Sequence, residues 1–402
     1  MRERRVGLVG RRFLWRGRAT DTKIGIVMLV AMPRALVILI LLGALLLLAA
    51  AVRMWVGLDV GALNDASRAQ ILALRWHRVE AAGTVGAALA AAGVMLQILL
   101  RNPLASPDIL GPASGASLAV MAALLLGGGA GASVGFGAAA WEAGPALAGA
   151  LGALGLVYAL AQRRGVVEPG TLIIIGVTVS IMCGAGVVLL QHLLNSSQVG
   201  GRMVALLIGA ISDDVPAALV RGVMAAVVGV MVMLVMFGGR RLDALALSDD
   251  EARALGVRIG ALRALLFVGS GVLTAGAVMI AGPVGFVGLI CPHVVRLMMV
   301  EGGGSTGSAG GAGGAGGAEG AGGAGGGAAV LSRRALDPQR VIGRGGVLLV
   351  ASALTGATLL ILADGAVRVI DVKSGRLPIG IVTALVGGPM LIALLRGRAA
   401  RR

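Results

Sequence analysis

Aromatic residues are scarce: five Phe, four Trp and one Tyr make up 2% of the 402 residues. So few rings cannot stack on a run of bases, and the formal net charge of +16 does not point to nucleic acid. Lysine is scarcer still. Lys23 and Lys373 are the only two, and neither stands in a G-x-x-x-x-G-K-[ST] context, which excludes a P-loop in this chain. The two cysteines, Cys183 and Cys291, lie far apart inside apolar segments and form neither a metal motif nor a disulfide framework. They read as small buried apolar side chains. His77, His192 and His293 sit on separate segments with no carboxylate or cysteine at ligand spacing. Neither H-E-x-x-H nor G-x-S-x-G occurs. No metal site, cofactor or enzyme activity is expected.

Charge is the other shortage. Charged residues make up 13% and hydrophobic ones 57%, with a mean hydropathy of +0.94, where soluble domains have about 25% charged and about 45–50% apolar. A soluble globule of this composition would expose large apolar patches, so that class is excluded. Apolar runs fall at 34–56, 78–99, 108–127, 143–162, 171–193, 216–238, 261–281, 286–300, 346–365 and 378–395. Most approach the roughly 20 residues that cross a bilayer. The expected fold is therefore all-α, a polytopic membrane protein with about ten transmembrane helices. The run at 286–300 is short and holds Pro292, His293 and Arg296, so it is expected to be buried in protein.

Arginines alternate along the chain. Arg2–Arg34, Arg101, Arg163 and Arg164, Arg240–Arg263, Arg333–Arg344 and Arg396–Arg402 fall on one side of the expected spans. Asp59, Asp65, Glu142, Asp213, Asp214, Asp364 and Asp371 fall on the other. The positive-inside rule then places both termini in the cytoplasm. The arginine-rich start precedes an apolar run too long for a signal peptide, so residues 1–33 and 397–402 read as cytoplasmic tails around a membrane domain at 34–396. Gly and Ala dominate spans such as Ala81–Gly93 and Ala143–Gly155, and such residues let helix backbones approach closely in lipid. Residues 302–329 are almost entirely Gly and Ala and read as flexible coil in a cytoplasmic loop.

Three stretches have a shape that plain spans do not need. Arg101 to Gly111 reads RNPLASPDILG, a twice-proline-broken turn followed by Ser114, Gly115 and Ser117. Gly285 to Arg296 reads GFVGLICPHVVR, and Leu377 to Pro389 reads LPIGIVTALVGGP. Broken backbone at membrane depth is tolerated only against protein or a water-lined cavity. These blocks resemble the R-N-P-L-A, G-F-x-G-L-x-x-P-H and L-P-x-G-x-x-T-A-x-x-G-x-P signatures of FecCD-type permeases. Those are the membrane subunits of ABC importers for iron-siderophores, vitamin B12 and haem. The resemblance runs from about residue 34 to 396 and implies a type II ABC importer permease-like bundle in the cytoplasmic (inner) membrane.

Further roles follow from that resemblance. Residues 242–258 look like the family's cytoplasmic coupling segment, with Leu245, Leu247, Ser248, Glu251, Ala252, Leu255 and Gly256 facing an ATPase subunit. Ser248 and Glu251 also have capping-box spacing, and Gly256 can end a helix. Arg75, Arg78 and Arg368 match the outer arginines that meet a substrate-binding protein; the alternative is local ion pairing with Asp65, Asp364 or Asp371. Arg75-Trp76-His77-Arg78 stands where the family usually has R-L-P-R, and Leu206 stands where Trp is common. A translocation path and gate would involve Asn102, Pro103, Gly111, Ser114, Gly115, Glu168, Pro169, Gly170, Pro292, His293, Pro378 and Gly380. His293 reads as a hydrogen-bonded residue beside the Pro292 kink rather than as a metal ligand.

The implied partners are a second permease copy (a homodimer) or a paralogous permease, two ABC ATPase subunits, an extracytoplasmic substrate-binding protein and membrane lipid. The implied substrate is a ferric siderophore, with vitamin B12 or haem as alternatives. The rival class, an ion-gradient-driven secondary transporter, would call for inverted repeats and ionisable groups at the midplane. Neither is evident in the chain.

Overall fold

The computed structural model describes residues 34–55, 65–126, 138–163, 166–167, 169–194, 208–211, 215–245, 251–252, 259–301, 345–369 and 377–399. Among them are ten helices of eight residues or more: α1 (Arg34–Trp55), α2 (Asp65–Leu99), α3 (Pro112–Leu126), α4 (Ala138–Ala161) and α5 (Pro169–Leu194). They continue as α6 (Ala217–Leu245), α7 (Ile259–Ala281), α8 (Val287–Glu301), α9 (Gly345–Val369) and α10 (Ile379–Ala399). A 3₁₀ turn at Pro107–Leu110 precedes α3, and Gln162–Arg163 (β1) pairs antiparallel with Val166–Val167 (β2). Seven helices, all but α3, α8 and α10, are long and apolar enough to span a bilayer.

Local chemistry sets several of the ends. Pro112 and Pro169 open α3 and α5, where a missing N–H removes nothing from the helix. At the end of α2, Arg101 is left-handed with φ 48°, and the Asn102 N–H reaches back to the Gln97 carbonyl at 3.2 Å. That is a Schellman-type stop built without glycine. Asn102 then folds the chain back, its Oδ1 accepting the Leu104 N–H at 3.0 Å.

Helix α2 is the axis of the bundle. It packs on α9, α7, α8, α6 and α1, while α3, α4 and α5 form a second group joined to it through α7. From Val85 to Leu99 almost every side chain of α2 is buried. Small residues permit this crowding. A Cβ at Gly86 would strike the Gly356 carbonyl of α9, and one at Gly93 would strike the Gly288 carbonyl of α8. The outward face of α1, by contrast, exposes Leu41, Leu47, Leu48 and Trp55, as a lipid-facing helix must.

Depth can be measured along α2. From Arg78 to Leu99 it rises about 30 Å at about 1.5 Å per residue, which matches the hydrocarbon core of a bilayer. The start of α8 approaches Leu89 and Gly93, so it lies roughly 10–15 Å from the Leu99 end. Pro107 touches Gly288 as well, which places the 3₁₀ turn at that same depth. Both broken segments thus lie alongside the apolar Arg78–Leu99 stretch of α2 and pack against protein.

Three boundaries differ from the apolar runs. Helix α2 begins at Asp65, well before the apolar run at 78, because its mixed first turns are tied to neighbouring backbone. Helix α6 continues to Leu245, so the segment expected at 242–258 opens within its last turn. The third run opens with the 3₁₀ turn, and α3 proper starts at Pro112. The tail 1–33, the loop 302–329 and residues 400–402 lie outside the described residues.

Candidate functional site

At the Arg78 end of α2, three helices meet on one carboxylate. Arg53 in the last turn of α1 donates Nε to Asp364 Oδ2 at 2.8 Å, and its terminal nitrogen lies 2.8 Å from the same oxygen. Arg78 donates to Asp364 Oδ1 at 2.8 Å and to the Ile211 carbonyl at 3.1 Å. Asp364 is 2% exposed, Arg53 5% and Arg78 6%. Two cations and one anion leave a net positive charge out of water. Such clusters are retained when their geometry is satisfied, because removing one partner strands the others.

The same turn of α2 makes two further ties. His77 Nε2 lies 2.7 Å from the Val215 carbonyl; a carbonyl can only accept, so Nε2 carries the proton. Arg75 donates to the Met54 carbonyl at 2.8 Å, capping an end of α1 that its own helix cannot satisfy. Leu74 and Trp76 point outward, and Trp76 Nε1 donates to Glu80 Oε1 at 3.1 Å. Of the three candidate docking arginines, Arg368 is exposed and Arg75 half-buried. Arg78 is buried in the ion pair with Asp364, one turn before Arg368 on α9. The ion-pairing alternative describes it.

At mid-depth the three motif blocks converge. Gln97, buried on α2, donates Nε2 to the Ala105 carbonyl of the first block and the Gly288 carbonyl of the second, each at 3.2 Å. Asp108 accepts from Ser106 Oγ at 3.0 Å and from the Phe286 N–H. Phe286 has φ 69°, unusual for a bulky residue, and its ring fills the space that a Cβ at Gly387 of the third block would need. Gly111 has φ 86° and stops the 3₁₀ turn against Ser180 of α5. Ser114 Oγ bonds back to the Gly111 carbonyl at 3.1 Å, and Gly115 is pressed against Gly149 of α4.

The third block also meets the connector before α6. The Gly380 N–H donates to the Gly209 carbonyl at 3.2 Å, and the Ile208 carbonyl occupies the position of a Cβ on Gly380. Pro378 and Pro292 are buried, while Asn102, Pro103 and His293 are half-buried. Gly170 is exposed in the first turn of α5, Pro169 opens that helix, and Glu168 lies outside the described residues. Among the described residues no three His, Cys, Asp or Glu side chains come close enough to hold a metal ion.

The Leu99 end of α2 is joined differently. Arg101 Nε donates to the Leu245 carbonyl at 2.9 Å, satisfying a carbonyl in the last turn of α6. Leu245 and Ala252 are buried and Glu251 is exposed. Leu247, Ser248, Leu255 and Gly256 lie outside the described residues. Gln97, Asp108, Phe286 and Arg53 were not singled out by sequence reasoning. A signal existed for Arg53, a lone charge at the end of an apolar run, and for Asp108, a carboxylate between a proline and an apolar span.

Comparison with known proteins fits this arrangement. The sequence model of the FecCD transport family matches residues 35–305 and 339–397. The cobalamin import system permease protein BtuC of Halobacterium salinarum is 33% identical over 332 residues, covering 82% of this chain and 73% of that protein. The vitamin B12 import system permease protein BtuC of Yersinia enterocolitica is 31% identical over 363 residues, covering 90% and 91%. A solved metal-chelate-type ABC transporter in an inward-facing conformation superposes with a TM-score of 0.68 at 26% identity, covering 90% of this chain and 99% of that one. With its ten-helix bundle and converging broken segments, the chain is a multi-pass membrane permease of the ABC-importer type and belongs to the FecCD transport family.

Proposed function

We propose that this permease imports a bulky metal chelate, with its termini in the cytoplasm and two copies, or one copy and a paralogous permease, enclosing the path. The observation that carries the reading is the near-complete family match combined with the convergence of all three motif blocks at mid-depth. Two ABC ATPase subunits dock at the Leu245–Gly256 end, and ATP binding there shifts the bundle between outward- and inward-facing packings. An extracytoplasmic substrate-binding protein docks at the opposite end, where Arg75 and Arg368 orient it. Arg101, bonded to the last turn of α6, supports this polarity because it joins the re-entrant turn to the coupling side. ATP chemistry belongs to the partners, since this chain has no P-loop.

Within the metal-chelate class, a ferric siderophore is the first reading, as a common cargo of the family, and the named relatives support cobalamin equally as the second. Uptake of radio-iron siderophore and of labelled cobalamin by cells lacking this chain, then complemented with it, separates the two. Loss and restoration of one substrate identifies it. If neither depends on the chain, and no other importer carries them, the chelate reading is wrong.

A further inference from the structure

The Arg78 turn of α2 and the start of α10 are linked through the connector before α6. Its described residues are Ile208–Ile211 and Val215–Pro216. Arg78 reaches the connector at the Ile211 carbonyl, and His77 reaches it at Val215. At its other end Gly209 bonds the Gly380 N–H. Gly209 itself is left-handed at φ 86°, and a Cβ there would meet the Pro283 carbonyl, so the connector also abuts the turn before α8. Two residues of backbone separate the Arg78 tie from the Gly380 tie.

We infer that Arg78, oriented by Asp364, is a positioning residue for transport that passes a load on the outer turn of α2 through Ile211 to the N-terminus of α10. The inference rests on the proposed docking of a binding protein at this end. Its physical basis is the planar guanidinium: one edge is held by Asp364 Oδ1 and the other by the Ile211 carbonyl, which a compact ammonium cannot reproduce. Leu74 and Trp76, on the same turn, are more than half exposed, so the turn that receives a partner is the turn that grips the connector. Arg53 shares Asp364, and among the described residues it makes no hydrogen bond to the connector that parallels the Arg78–Ile211 bond. Arg53 adds a second positive charge at Asp364; Arg78 carries the tie to the connector.

That difference supplies the test. R53M and R78M each remove one buried guanidinium and leave a neutral Arg–Asp pair behind. The full chain, assembled with its ATPase subunits and binding protein in liposomes, is assayed for the ratio of binding-protein-stimulated to basal ATP hydrolysis. Thermal unfolding of both variants is followed in parallel. The expected result is a ratio about tenfold lower in R78M, with R53M within about twofold of the parent, a coupling loss of ordinary allosteric size. If R78M does not assemble, R78K replaces it, with the same direction of change expected. Equal ratios in the R53M and Arg78 variants, or a parental ratio in the Arg78 variant, overturn the inference. A parent that assembles with the ATPase but shows no stimulation overturns the docking reading beneath it, and the inference with it.

Discussion

The two ends of α2 are held by different physics. At the Arg78 end, three helices converge on the buried Asp364, and the cluster has no water to fall back on. At the Leu99 end, the Arg101–Leu245 bond is made by an exposed side chain to a main-chain carbonyl. Removing one partner of a buried ion cluster strands the others, whereas a part-buried hydrogen bond to a carbonyl can be replaced by water at small cost. The contrast suits the polarity proposed above, with the Arg78 end at the outer rim and the Leu99 end beside an ATPase. Between them, the mid-depth junction relies on close backbone contact and a few neutral hydrogen bonds.

Four substitutions test that contrast, beginning with the most damaging. Asp364→Ala strands two buried guanidinium groups and is expected to destabilise the bundle by about 3–5 kcal/mol, seen as a large drop in unfolding temperature of the detergent-purified protein. A parental melting curve would mean the cluster is solvated. Gly93→Val forces a side chain into the Gly288 backbone; about 3 kcal/mol of overpacking should appear as sharply reduced membrane yield, and normal yield would contradict the α2–α8 contact. Gln97→Leu deprives the Ala105 and Gly288 carbonyls of their shared donor. About 2 kcal/mol is expected, with uptake slowed at unchanged expression. Arg101→Ala should lower stability by about 1 kcal/mol or less. A stability loss rivalling that of Asp364→Ala would erase the difference between the two ends.

Much of this architecture was legible in the sequence. Each of the ten apolar runs became a helix, because in a bilayer the backbone has no other way to satisfy its polar groups. The 286–300 run is protein-covered over its first half, where Pro292 and Cys291 are buried in α8, while Leu297 and Met298 further on are exposed. The first turns of α2 were missed, since Asp65, Arg68, Gln70, Arg75 and His77 give that stretch no apolar run. Those turns are stabilised by contacts with the end of α1 and the α6 connector, which are distant in sequence. The burial of Arg78 was not legible for a related reason: the partner that draws it inward, Asp364, lies on α9. Motif spacing revealed that the three blocks matter, while only the fold shows that Gln97, Phe286 and Gly380 knit them together.

The most direct measurement is ATP-dependent transport by the affinity-purified complex. The tagged full chain would be isolated from its own membranes, reconstituted in liposomes, and supplied with binding protein, cobalamin or ferric siderophore. The account predicts that ATPase subunits co-purify and that vanadate-sensitive hydrolysis drives uptake of one chelate. A chain that purifies alone and carries its substrate down an ion gradient without ATP would contradict it.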